Sequence, residues 1–172
     1  MFLIIGNVIA FIASIFMVIA GILNDRKQIL IVQTIQMGLF IASNIVLGGY
    51  TAVVVNAISI IRNLIAYKGK LTNNISYILL ALTTIFTFIF NNHFIIGLLP
   101  LVGTIVFTLS LNTKNIAKLK LALSFSMLMW LIFDLYIKSF SSALFDFLSM
   151  AAGIMTIYQI KMNKSSKKAK EV

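Results

Sequence analysis

The sequence predicts an all-α polytopic membrane protein of about seven transmembrane helices, organised as two parallel three-helix bundles plus a linker helix. Three observations point there. Of 172 residues, 60% are hydrophobic and only 10% charged, whereas a soluble domain carries about 25% charged residues. A water-exposed surface cannot be assembled from this inventory, which excludes a soluble enzyme. The chain also divides into successive apolar runs near the ~20 residues needed to cross a bilayer. Finally, basic loops alternate with loops almost free of Lys and Arg.

Polar or Gly/Asn clusters bound helices near residues 2–23, 28–47, 51–67, 74–91, 93–111, 117–137 and 141–161. The first run has no basic stretch before it and no small-residue cleavage pattern after it, and it is longer than a signal-peptide core, so it is expected to be retained. The third and fourth runs are at the short end of the spanning range, leaving a merged or re-entrant pair as an alternative. The weakest boundary is Asn91-Asn92-His93, where one long helix could run through.

Seven crossings place Arg26, Lys27, Lys68, Lys70, Lys114, Lys118, Lys120 and the tail residues Lys161, Lys164, Lys167, Lys168 and Lys170 on one side, with only Lys138 on the other. Cytoplasmic loops carry the Lys/Arg excess, so the N-terminus is expected outside and the C-terminus in the cytoplasm. Arg62 falls inside the third span and is expected to snorkel toward the basic face. The formal net charge of +10 then reflects orientation and attraction of the tail to anionic membrane lipids, with no nucleic-acid partner implied.

Cysteine is absent, which removes disulfides and thiolate metal sites. There is no phosphate loop, nucleophile elbow or pair of His at ligand spacing, so no cofactor, no metal and no enzymatic activity are expected. His93 stands alone in a loop and reads as an interfacial residue.

An internal repeat runs at an offset of ninety positions. It pairs Ala52 with Ser142, Asn56 with Asp146, Ser59 with Ser149, Asn63 with Gly153 and Ala66 with Thr156. Steps of four and three keep each series on one helix face, small and polar on helices otherwise rich in Ile, Leu, Phe and Met. The same offset pairs Phe40 with Trp130, Asn44 with Asp134, Ala10 with Pro100 and Ser14 with Thr104. The expected units are a first repeat over 1–70, a linker helix over 71–92, a second repeat over 93–163 and a basic cytoplasmic tail over 164–172. A three-helix unit begins and ends on opposite sides, so two units in the same orientation need an extra crossing between them. Parallel repeats are one transporter design, with the solute site between them.

The spacing from Trp130 to Asp146, and from Phe40 to Asn56, resembles that between the helix-two aromatic and the helix-three Asn of SWEET and SemiSWEET sugar transporters. Pro100 falls where that superfamily carries a Pro-Gln pair. Asn56-Ala57-Ile58, Leu98-Leu99-Pro100-Leu101-Val102-Gly103-Thr104-Ile105 and the aromatic stretch around Trp130 more closely resemble the YgjV family of bacterial inner-membrane proteins, over about residues 5–163. The resemblance implies an inner-membrane location and Asn56 and Asp146 facing a solute. Departures are the missing Gln after Pro100, Ala10 in place of a first Pro, Phe40 in place of a first Trp and an acid at one Asn position, so a sugar does not carry over.

Asp146 lies well inside its span, where lipid exposure would cost a few kcal/mol. It either binds a proton or a cationic solute group, or serves as packing glue with Ser149 or Asn56. Asn56 has the same two readings. Asp134 and Asn44 lie near helix ends, where Asp134 can simply reach interfacial water near Lys138 or line a gate. Gln33 and Gln36, one turn apart, line an inner mouth or satisfy each other. Trp130 and Phe40 are solute walls or space-filling aromatics, and Pro100 is a candidate helix hinge because it removes a backbone donor. Together these residues suggest a small polar solute transporter working by alternating access, with a homo-oligomer left open. The alternative is a non-transporting membrane scaffold or accessory subunit.

Overall fold

The computed structural model describes residues 1–22, 26–110 and 116–170, and among the described residues there is no strand. The helices are α1 (Phe2–Ile22), α2 (Arg26–Leu47), α3 (Tyr50–Tyr67), α4 (Asn73–Phe90), α5 (Leu99–Ser110), α6 (Ile116–Tyr136) and α7 (Phe140–Lys170), with a single 3₁₀ turn, Ile96–Leu98, leading into α5. The fold is an all-α membrane protein. Helices α1 to α4 are each long and apolar enough to cross a bilayer, and Ile96–Ser110, Leu121–Tyr136 and Phe140–Met155 are shorter apolar stretches.

Burial is inverted relative to a soluble protein. Large aliphatic and aromatic residues such as Phe2, Val8, Ile45, Phe88, Leu121 and Leu148 face outward, while Ala10, Ala13, Ser14, Ser43, Thr51 and Ala52 are buried. Lipid tails are as apolar as Leu, so burying Leu gains little. Small residues instead let helix backbones approach closely and hydrogen-bond across the gap. Ser43 Oγ on α2 donates to Gly6 O of α1 at 2.8 Å. On α5, a Cβ at Gly103 would lie 3.1 Å from the Ser126 carbonyl oxygen of α6, so that close approach depends on the missing side chain.

Neighbouring helices touch in a closed sequence: α1 with α2, α2 with α3, α3 with α5, α5 with α6, α6 with α7, and α7 back to α1. Helix α4 lies outside this ring, against α3 and α5. Within each set of three, the first and third helices have no Cα atoms within 8 Å among the described residues. Each set is therefore an open arc about its middle helix, and the two arcs complete each other.

The turns between α2 and α3 and between α6 and α7 have the same construction ninety residues apart. Gly49 N donates to Asn44 O and Ser139 N to Asp134 O, both at 2.8 Å, while Gly48 N and Lys138 N donate to Ile45 O and Leu135 O. This is the paired bonding of a Schellman helix end, which calls for a left-handed residue after the helix. Gly48 takes it at φ 78° and Lys138 at φ 61°. A third such end closes α3, with Gly69 at φ 69°.

Asn91-Asn92-His93 breaks the helix. Asn91 leaves α4 in an extended conformation (ψ 110°), its Nδ2 donates to Phe94 O at 2.7 Å, and its Oδ1 accepts from His93 N at 3.1 Å. The regular fifth helix consequently begins six residues later than the apolar run suggests. At the other end of the chain, α7 continues to Lys170 and takes in most of the expected tail. The Lys- and Ser-rich stretch after residue 161 contains neither Gly nor Pro, so nothing in it breaks a helix. Residues 23–25, Lys114 and residues 171–172 lie outside the described residues. Lys27 Nζ sits 5.8 Å from the Tyr67 ring centroid, which puts the start of α2 and the end of α3 at one end of the molecule.

Candidate functional site

The carboxyl group of Asp134, the third residue from the end of α6, is hydrogen-bonded to that of Asp146, the seventh residue of α7. Both are buried, at 4% and 8% exposure. The expected surface role of Asp134 beside Lys138 is thus replaced by an internal contact: the tight α6–α7 turn brings the two helices together and turns the acid inward. A hydrogen bond between two carboxyl groups needs at least one proton, so the two cannot both be ionised in this arrangement. Asp146 Oδ2 is buried with no hydrogen-bond partner among the described residues.

Asn56, on α3 at the position equivalent to Asp146, is also buried, and its Nδ2 likewise has no hydrogen-bond partner among them. Unpaired buried amide and carboxylate atoms cost about 1–3 kcal/mol each, so two at equivalent positions stand out. They stand on helices that are not neighbours, since among the described residues α3 and α7 have no Cα atoms within 8 Å. Asn44, the counterpart of Asp134, is buried under the α2–α3 turn, its Oδ1 3.0 Å from a Cβ built on Gly49.

Ala52, one turn before Asn56, packs with Phe133 of α6 and Ile137 just beyond it in a cluster bordered by Leu47, Ile96, Leu99 and Trp130. Trp130 is half-buried, edge-on to Phe133 with ring centroids 6.4 Å apart. Its surroundings are mainly apolar, and the structure does not bring it to Phe40, which is half-buried on α2. Gln33 and Gln36 are half-buried on the same helix. Pro100 is fully buried but is the second residue of α5. In a first turn the proline nitrogen has no hydrogen bond to break, so Pro100 sets the change from 3₁₀ turn to α-helix and does not kink a longer helix.

Arg62 corrects another expectation. It does not snorkel out: the residue is 8% exposed, with Nη1 donating to Thr108 Oγ1 of α5 at 3.0 Å and Nη2 to Asn63 Oδ1 at 3.3 Å. Sequence reasoning misses the pairing with Thr108 on α5 because the ninety-residue offset relates equivalent positions, whereas a contact between the two halves joins unlike ones.

Asn7 was missed for the same reason. Its Nδ2 donates to Lys138 O at 2.9 Å and its Oδ1 accepts from Ser141 N at 3.1 Å, tying α1 to the α6–α7 turn. The other turn is held comparably: Asn92 Nδ2 donates to Gly48 O at 2.9 Å, and His93 Nε2 lies 3.0 Å from the same oxygen. A carbonyl can only accept, so His93 carries its hydrogen on Nε2 in this contact. The imidazole also stands edge-on to Tyr136 at 5.2 Å.

Neither a curated protein nor a solved structure matches the chain. Residues 4–164 match the family model of Imp-YgjV, described as bacterial inner membrane protein. With its apolar helices and inward-facing polar residues, the chain therefore belongs to the Imp-YgjV family of bacterial inner membrane proteins.

Proposed function

We propose that this inner membrane protein moves a small polar solute by alternating access, the units 1–70 and 93–163 rocking about a shared interface while the 71–92 segment links them. The N-terminus lies outside and the C-terminal lysines face the cytoplasm, following the loop charges. The observation that carries the proposal is the pair of unsatisfied buried atoms, Asn56 Nδ2 and Asp146 Oδ2, at positions related by the ninety-residue offset. A donor on one half and an acceptor on the other suit a solute with both kinds of group. The shared proton of Asp134 and Asp146 gives the site a means of coupling to protonation, and the SWEET-like spacing of aromatic and amide positions supports the same reading. Phe40 and Trp130 would wall the solute, with Asn44, Gln33 and Gln36 along the path.

The chain has no cysteine, so Asn56→Cys and Asp146→Cys introduce single reporters. Membrane-impermeant, charged thiol reagents applied from either side of oriented vesicles should label both positions from both sides. Protection of both from both sides would sink the proposal. The apolar packing of Ala52, Phe133 and Trp130 would then favour a membrane scaffold.

A further inference from the structure

A second polar cluster lies apart from the acid pair, between α3, α4 and α5. Arg62 is six residues further along α3 than Asn56, which is ~9 Å of helix. Its acceptors, Thr108 and Asn63, are both neutral. A guanidinium has five N–H donors and a permanent charge. Buried charges are paired or energetically expensive, and two neutral oxygens leave both charge and donors over. Beside the guanidinium is a cavity of about 10 Å³ whose polar lining is Ser59, Arg62, Ser76, Thr83, Thr104 and Thr108. Ser76 and Thr83 of α4 already donate to Thr72 O and Leu79 O, so the lining hydroxyls with a hydrogen to spare are Ser59 of α3 and Thr104 and Thr108 of α5. Thr108 Oγ1 accepts from Arg62, which leaves its own hydrogen free to donate.

The space favours a small occupant. About 10–15 Å³ accommodates one water, so a halide enters this partly open pocket with a small outward shift of the lining side chains, and phosphate or sulfate would need a much larger one. Water would satisfy donors but leave the charge uncompensated. We infer that this cavity is a binding site for a monatomic anion of the halide class, held by Arg62 with hydroxyl donors from α3 and α5. Thr108 orients the guanidinium from one side and the anion neutralises it from the other. The inference does not depend on transport and applies equally to a scaffold.

The test is the melting temperature of the purified full-length chain in neutral detergent. Sodium chloride or bromide is compared with sodium gluconate at equal ionic strength, with added arms of sodium phosphate and of anionic lipid. Chloride and bromide should raise the melting temperature by roughly 2–4 °C over gluconate. The rise should vanish in Arg62→Gln and shrink in Thr108→Val, which retains the volume and decides the matter if the arginine variant does not fold. Equal melting in chloride and gluconate would mean that the cavity holds water only. A rise that persists undiminished in Thr108→Val would place the anion elsewhere, on the tail lysines for instance. A rise with phosphate or anionic lipid alone would assign the cation to a phosphate-bearing ligand. Each of these three outcomes overturns the inference.

Discussion

Asp134 and Asp146 stand on adjacent antiparallel helices joined by a tight turn, and their carboxyl groups share a hydrogen bond away from water. Replacing one member by Ala leaves the other without this partner, at a cost of about 1–3 kcal/mol for a buried polar group left unsatisfied. Asn keeps the shape and supplies an amide donor. Asp134→Ala should therefore lower stability in detergent by that amount, whereas Asp134→Asn should stay within ~1 kcal/mol of the parent. Thermal unfolding of the variants measures both, and equal melting of Asp134→Ala and the parent would show that the contact contributes nothing.

The paired turns make opposite predictions for substitutions at equivalent positions. Gly48 and Lys138 occupy the left-handed region at φ 78° and 61°, where a Cβ costs roughly 1–2 kcal/mol. Gly48→Ala should destabilise by about 1 kcal/mol, and Lys138→Gly should stabilise by up to about the same amount. Denaturation curves for the two single variants compare them directly.

Gly97 lies under the Asn91 side chain, whose amide oxygen occupies the place a Cβ would take. That oxygen also accepts from His93 N, so Gly97→Ala must displace a bonded group. A loss of about 1–3 kcal/mol is expected, as for overpacking or for an unmade buried hydrogen bond. Asn91→Ala in the same background removes the obstruction, so the double variant should lose less than the sum of the two singles.

The lysine distribution predicts which terminus faces the cytoplasm. A fluorescent protein that matures only in the cytoplasm, fused after Val172, should fluoresce, and the thiol introduced by Lys138→Cys should react with an impermeant reagent in intact spheroplasts. A dark fusion together with protection of that thiol would reverse the orientation.

Helix order and number were legible because bilayer thickness imposes a length on each apolar run, and residues such as Gly48, Gly69 and Asn91 interrupt those runs with local chemistry. The late start of α5 was not legible. It follows from hydrogen bonds among Asn91, His93 and Phe94, which apolarity does not report. Asn56 and Asp146 stood out as polar residues in apolar helices at matching positions. The inward turn of Asp134, the burial of Arg62 against Thr108 and the role of Asn7 depend on which helices become neighbours, and periodicity within a single helix carries no information about that.

The hydrogen bonds from Asn7 to Lys138 O, and from Asn92 and His93 toward Gly48 O, share one end of the helix ring, where α2 hands over to α3 and α6 to α7. Each half thus grips the other's hairpin bend, as the arms of tongs are pinned at one end. Spreading the halves there breaks several polar links at once, while spreading them at the far end leaves the pins intact and flexes only the long arms. Any pore this molecule forms should widen first at the end away from Lys138.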